Sequence, residues 1–251
     1  MIYYFSATGN SRHVAERIAS ALHSDTRNIE DCLRDQAWSS RPAADEPVGI
    51  VFPVYFWGLP SIVREFLSGF LMPPGCYLFT VTTFGMVSGA AARMSDQCLS
   101  RHGRAADAHF SVQVPDTWTP VFDLSDPGKV SRMIAASEQQ LNEIIPMILR
   151  QERGNHARKQ MPILLGEAAG LLYRQMSTSG FTVDASCISC GLCEQQCPAG
   201  AIRIINGKPK WVKNRCVMCL GCLHRCPQNA IQYGTHTKGH GQYQYPDNEE
   251  K

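Results

Sequence analysis

The chain has 251 residues, a formal net charge of +2 and 11 cysteines, enough length for one large domain or two ordinary ones. With 44% hydrophobic and 18% charged residues it is neither a disordered chain nor a coiled coil, and no apolar run approaches the roughly 20 residues of a membrane helix. So small a net charge also argues against the basic stripe of a nucleic-acid-binding protein.

Ile2 to Phe5 reads as a short apolar strand, followed by Ser6-Ala7-Thr8-Gly9-Asn10-Ser11 and a helix from Ser11 to His23 with apolar spacing at Val14, Ile18 and Leu22. A strand that stops at hydroxyls and a glycine, then opens a helix, points backbone N–H groups and a positive dipole end at an anion. The loop lacks the lysine and second glycine of a Walker A motif, and it is not G-x-G-x-x-G. A plain N-cap needs one Ser or Thr, whereas Ser6, Thr8, Asn10 and Ser11 crowd six positions here. The loop resembles the FMN-phosphate loop of flavodoxins, S/T-x-T-G-N-T/S, at Ser6, Thr8, Gly9, Asn10 and Ser11. That resemblance implies a doubly wound α/β fold, a five-stranded parallel sheet in the order 2-1-3-4-5, with FMN over the carboxyl ends of strands one and three.

Continuous apolar runs at Pro47 to Phe52 and Cys76 to Thr82 suit strands covered on both faces. Between them Pro60 opens a helix through Leu67, and Ser88 to His102 reads as a small-residue helix. Phe110 to Val114 alternates as a further strand, and Val130 to Arg150 as a long amphipathic helix. Each loop after a strand is then a candidate wall for the flavin. Pro53-Val54-Tyr55-Phe56-Trp57-Gly58 offers aromatic faces in a loop held between prolines. Thr82-Thr83-Phe84-Gly85-Met86, with Gly85 and Gly89, permits close backbone approach to the pyrimidine edge. Pro115 to Pro120 carries Trp118, and either covers the flavin, seats the next domain, or packs as an ordinary loop.

Met161 to Tyr173 reads as an apolar helix joining residues 1–160 to a cysteine-rich segment at 181–234, without a Gly- or Ser-rich linker. Cys187-x2-Cys190-x2-Cys193-x3-Cys197-Pro198 recurs 29 residues later as Cys216-x2-Cys219-x2-Cys222-x3-Cys226-Pro227. The N-terminus has no basic n-region or cleavage site, so a cytoplasmic chain with reduced thiols is expected, and metal or cluster ligation precedes disulfides as the reading. Structural zinc needs only four cysteines per ion and does not require this spacing. The segment resembles the bacterial two-[4Fe-4S] ferredoxin domain. It implies one cluster on Cys187, Cys190, Cys193 and Cys226, and a second on Cys216, Cys219, Cys222 and Cys197.

Residues 181–234 carry six basic and two acidic side chains, and four of the bases lie between Ile205 and Cys216. They are either a solvated turn, or they favour the reduced clusters or dock an acidic partner. The tail from Thr235 onward is polar and expected to be mobile. His13 and His102 read as packing or surface histidines, and Cys76 and Cys98 as small buried hydrophobes.

The whole resembles flavodoxin–ferredoxin fusion proteins, the iron–sulfur flavoproteins of anaerobes. That implies electron transfer between two [4Fe-4S] clusters and FMN, coupling one-electron and two-electron carriers. An FMN-dependent reductase acting on a small organic substrate or NAD(P)H is the alternative. The expected partner is a redox protein, either a ferredoxin-type donor or an acceptor oxidoreductase, with a homodimer also allowed. Neither nucleic acid nor membrane insertion is expected.

Overall fold

The computed structural model describes residues 1–35, 46–70 and 75–246. β1 (Ile2–Tyr4) leads into α1 (Asn10–Leu22), then β2 (Thr26–Asn28), α2 (Ile29–Arg34), β3 (Val48–Pro53) and α3 (Ser61–Gly69). β4 (Leu78–Phe84), α4 (Ala91–Leu99), β5 (Ala108–Gln113), α5 (Pro127–Leu149) and β6 (Gly154–Asn155) follow. The sheet order is β2-β1-β3-β4-β5-β6, and every pairing in it is parallel. The order anticipated from the first loop is therefore present, extended by a sixth strand. That strand, two residues long, pairs Gly154 and Asn155 with Ala108 and His109, too short to leave a periodic signal.

β4 is buried along its whole length, as a strand covered on both faces must be. Tyr3, Phe5, Ile50 and Phe52 face α3 and α4 through Phe66, Leu67 and Met94. Their neighbours Ile2, Val51, Phe79 and Phe110 face α1 and α5 through Val14, Ile18, Ile144 and Ile148. Period-two alternation thus divides one sheet into two cores. α5 starts at Pro127, with the Asp126 carboxylate accepting the Gly128 and Lys129 N–H groups. The helix expected from Ser88 starts only at Ala91, because Gly89 sits at φ +61°, and a 3-10 turn carries it on to His102.

α6 (Ile163–Gln175) joins this layer to the cysteine-rich segment. There β7 (Phe181–Val183), α7 (Leu192–Gln195), β8 (Ile202–Ile205), β9 (Lys208–Trp211), α8 (Gly221–His224) and β10 (Ile231–Tyr233) form a duplicated unit. β10 pairs with β7 and β8 with β9, both antiparallel. The duplication holds in the backbone: Ser189, Gly191 and Gly200 have positive φ, and so do Met218, Leu220 and Asn229, each 29 residues on.

The tail does not match the expectation of mobility. α9 (Thr237–His240) and residues 241–246 lie back across both parts, with Thr237 and Tyr243 buried. Leu124 N–H donates to His240 O (2.9 Å) and Tyr245 N–H to Thr8 O (2.7 Å). Two tyrosines and a glycine turn at Gly241 (φ +79°) give this polar stretch enough to bury. Residues 247–251 of the tail lie outside the described residues. Among those described, no helix is long and apolar enough to cross a membrane.

Candidate functional site

A cavity of about 380 Å³ opens at the carboxyl ends of β1, β3, β4 and β5, where chain reversals of a parallel sheet leave a crevice. Its polar end is Ser6, Thr8, Asn10 and Ser11. Gly9 is the N-cap of α1 at φ +96°, and no side chain caps the helix. A glycine N-cap brings no capping side chain of its own, so the start of α1 lies beside these four polar residues. Gly9 N–H donates to Ser6 Oγ (3.1 Å), Ser11 Oγ shares a hydrogen bond with Thr83 Oγ1 (2.8 Å), and Asn10 Nδ2 donates to Pro115 O (3.3 Å).

The apolar walls come from Pro53, Val54, Tyr55, Phe56 and Trp57, from Thr83, Phe84, Gly85 and Met86, and from Trp118. Tyr55 and Gly58 exchange backbone hydrogen bonds of 3.1 and 2.9 Å, which leaves Phe56 (φ +48°) and Trp57 (φ +60°) as the two residues of a tight turn. Such turns ordinarily take Asn-Gly; two bulky residues there store roughly 1–3 kcal/mol each. The turn aims the aromatics apart. Phe56 stacks on Tyr173 (4.9 Å) and meets Trp118 edge-on (4.9 Å), while Trp57 stays 50% exposed at the rim.

Three of the residues expected here lie behind the cavity wall. Gly9 holds the loop's turn, Gly58 closes the hairpin, and Thr82 is a buried strand residue whose hydroxyl meets Phe110 O (3.4 Å). The close approaches at Gly85 and Gly89 are also to the protein itself. A Cβ at Gly85 would fall inside the Asp116 carboxylate, and one at Gly89 on the Trp57 carbonyl. Asp116 is the residue the sequence left anonymous within its loop. It lines the cavity, accepts the Trp118 N–H (3.0 Å), and has its carboxyl raised above the usual range by burial.

The eight cysteines of the repeat surround two smaller cavities. Cys187, Cys190, Cys193 and Cys226 line the first, and Cys197, Cys216 and Cys219 the second, with Cys222 on the wall between them. The fourth cysteine of each run crosses to the other's cavity. Among the described residues no three His, Cys, Asp or Glu side chains converge as on a single metal ion. The thiols of each set line a cavity, as the ligands of a four-iron cubane would. Backbone N–H groups of Ala201, Met218 and Ala230 each point at a sulfur, Cys197, Cys216 and Cys226, at 3.3 Å. Burial pushes the Cys193 thiol up to about 11 and Cys219 up to about 12, so these sulfurs are stable as thiolates only against a cationic core.

The cavities are joined. Met218, Cys219 and Leu220, the second cysteine loop, form part of the wall of the large cavity. Tyr173 donates its hydroxyl to Val217 O (2.5 Å), and the Arg225 guanidinium reaches Ser6 O (3.2 Å). Glu30 of α2 lies near Arg225; burial lifts its carboxyl to about 7, with the guanidinium opposing. His224 donates from Nε2 to Thr117 O (2.8 Å) and accepts the Tyr243 N–H at Nδ1 (3.1 Å). Burial lowers it to about 4, so it is neutral with a fixed tautomer. Tyr243 in turn donates to Asn10 Oδ1 (2.6 Å), and Tyr245 stacks on His13 (4.1 Å). The tail thereby ties the cysteine repeat to the hydroxyl loop.

The bystanders behave as packing. His13 meets Glu138 (2.5 Å) and His102 meets Ser68 O (2.8 Å), both away from the cavities. Cys32, Cys76 and Cys98 are buried singly.

The residues present fit both groups: hydroxyls and a helix N-terminus at one end of an aromatic cavity suit FMN, and two rings of thiols suit iron–sulfur clusters. Comparison with known proteins agrees. Residues 1–141 match the model of the flavodoxin domain family, and residues 186–231 that of the 4Fe-4S dicluster domain. Among solved structures, Trp repressor binding protein from Bacillus subtilis is 11% identical, covering 57% of this chain and 96% of its own at a TM-score of 0.37. Streptococcus pneumonia TIGR4 flavodoxin is 15% identical (57% and 97%, TM-score 0.36), and two-electron reduced Megasphaera elsdenii flavodoxin 18% identical (57% and 99%, TM-score 0.33). No curated protein matches the chain. With its match covering more than half of the residues, the chain belongs to the flavodoxin domain family, fused to a 4Fe-4S dicluster domain, and is an FMN- and iron–sulfur-dependent electron-transfer protein.

Proposed function

We propose that the chain carries electrons between a protein partner and its own FMN, through two [4Fe-4S] clusters in series. FMN takes up one or two electrons and a cubane cluster passes one at a time, so together they interconvert one- and two-electron carriers. Cys187, Cys190, Cys193 and Cys226 would hold the outer cluster, and Cys197, Cys216, Cys219 and Cys222 the inner one. Ser6, Thr8, Asn10 and Ser11 would hold the phosphate, with Tyr55, Trp57, Phe84 and Trp118 about the ring. The observation that carries this reading is that Cys219, an inner ligand, shares the wall of the flavin cavity. Met218 and Leu220 beside it exclude water from the junction. Asp116 lines the same cavity, with burial raising its carboxyl from its ordinary value.

One observation favours the reductase alternative: the cavity mouth is rimmed by exposed apolar side chains, Trp57, Met86, Val121 and Leu172, which suit a flat organic acceptor. The two readings separate by asking whether NADH, NADPH or a reduced ferredoxin bleaches the flavin. Turnover with pyridine nucleotide alone selects the reductase. Anaerobic reconstitution should give about eight irons and one FMN per chain. Replacing Ser6 and Thr8 together by alanine should weaken FMN binding and leave the iron content unchanged; loss of both would contradict separately built sites.

A further inference from the structure

The basic hairpin is the feature of the cysteine repeat that cofactor binding does not use. Of the six basic residues between 181 and 234, Arg225 turns inward to Ser6 and Gln196. The other five, Arg203, Lys208, Lys210, Lys213 and Arg215, belong to β8, β9 and the segment after them. The two acids of this stretch balance one of them: Asp184 pairs with Lys238 of the tail, and Glu194 meets Arg203 at 3.6 Å. The side chains of Lys210 and Arg215 make no ion pair or hydrogen bond among the described residues.

The strand register adds a cost. Arg203 stands directly opposite Lys210 in the β8–β9 ladder, a like-charge pairing that the Glu194 carboxylate beside Arg203 only partly offsets. A solvated turn gains nothing from that arrangement. A surface that meets an opposite charge does. Elsewhere the chain is slightly acidic, 16 basic against 17 acidic residues before 181 and two against three after 234, so the surplus of basic side chains is concentrated in this segment, where the thiolate-held clusters offset it overall and the hairpin remains the locally basic face.

The location is equally specific. The hairpin tip lies against the first cysteine loop: the Ser189 hydroxyl donates to Gly207 O, and Lys208 Nζ donates to Cys187 O (3.1 Å). Cys190 in that loop is exposed, and Ile188, Ile205 and Val212 present exposed aliphatic surface beside the charges. Aliphatic and basic groups interleaved around an exposed cysteine loop suit a folded protein surface better than a polyphosphate or a lipid headgroup layer.

We propose that this face, the β8–β9 hairpin with the Cys187–Cys190 loop, docks an acidic one-electron carrier protein. Docking there brings the carrier's redox centre against the outer cluster. This rests on the electron-transfer reading given above and names the partner's chemistry.

The test uses the reconstituted holoprotein and a photoreduced acidic two-[4Fe-4S] ferredoxin as the probe carrier, with flavin bleaching followed after rapid mixing. Lys210→Glu combined with Arg215→Glu should lower the second-order rate on the order of tenfold at low salt and flatten its dependence on ionic strength. The neutral pair Lys210→Gln and Arg215→Gln should fall between that variant and the wild type, with iron and FMN content and reduction by dithionite unchanged. A wild-type rate that is fast and salt-independent, or variants that match it, would overturn the docking face and leave the electron-transfer reading standing. Wild-type protein in which dithionite reduces the clusters but not the flavin would overturn both. Charge-dependent binding to anionic phosphatidylglycerol vesicles or duplex DNA at about 150 mM salt would overturn the choice of partner.

Discussion

The two halves of the cysteine repeat share a backbone and differ in what they face. Ile188 is 59% exposed, and its counterpart Val217, 29 residues on, only 5%. Ser189 and Gly191 become Met218 and Leu220, each 2% exposed; Glu194 and Gln195 become Leu223 and His224, both buried. The first loop keeps its ordinary polar residues and stays in solvent. The second carries mainly apolar ones, and accepts a leucine at φ +54° where the first has glycine, because it is pressed against the large cavity. The repeat thus has two equivalent halves made unequal by burial: one loop faces solvent and the other forms part of the large cavity's wall, which is the basis for proposing an outer and an inner site.

The sharpest way to break this comparison is to remove one ligand from each half. Cys190→Ala and Cys219→Ala should each lose about half of the iron, and each should slow carrier-driven flavin reduction on the order of 100-fold. They should differ in flavin affinity, which Cys219→Ala lowers and Cys190→Ala leaves within about twofold by equilibrium titration. Equal effects on FMN would mean that the loops are not inner and outer. Next in size, Leu220→Asp places a charge in the junction and should destabilise the holoprotein by about 3 kcal/mol or more in urea unfolding. Gly191→Asp, at the matching position in open space, should cost about 1 kcal/mol for its left-handed backbone. The smallest effect concerns the tail: Tyr243→Phe removes the hydrogen bond to Asn10 Oδ1 and should cost about 1 kcal/mol, read as a several-fold weaker FMN. Unchanged affinity would reduce the tail to a structural strap.

Much of this was legible in the chain. Apolar runs marked β3 and β4 because both faces of those strands are covered, and the residues after each strand are where a parallel sheet opens its crevice. Cysteine spacing located two thiol sets because the spacing is itself the geometry of the loop. What the chain concealed depends on contacts distant in sequence. Gly85 suggested approach to a ligand but makes room for Asp116, 31 positions away. The tail read as mobile because its two tyrosines are spaced among polar residues, and only their target, the hydroxyl loop at the other terminus, explains them. One signal was present and subtle: the replacement of Ser189 and Gly191 by Met218 and Leu220 in the second copy already marked which loop is covered.

The central claim is that electrons reach the flavin through the clusters, entering at the first cysteine loop and leaving by Cys219. It is tested most directly by rapid mixing of a reduced protein carrier with two preparations of the chain, one holding FMN and iron–sulfur clusters and one holding FMN alone. The account predicts that cluster absorbance bleaches before flavin absorbance in the first preparation, and that the second stays oxidised on the same timescale. Flavin bleaching at equal rates in both would contradict it.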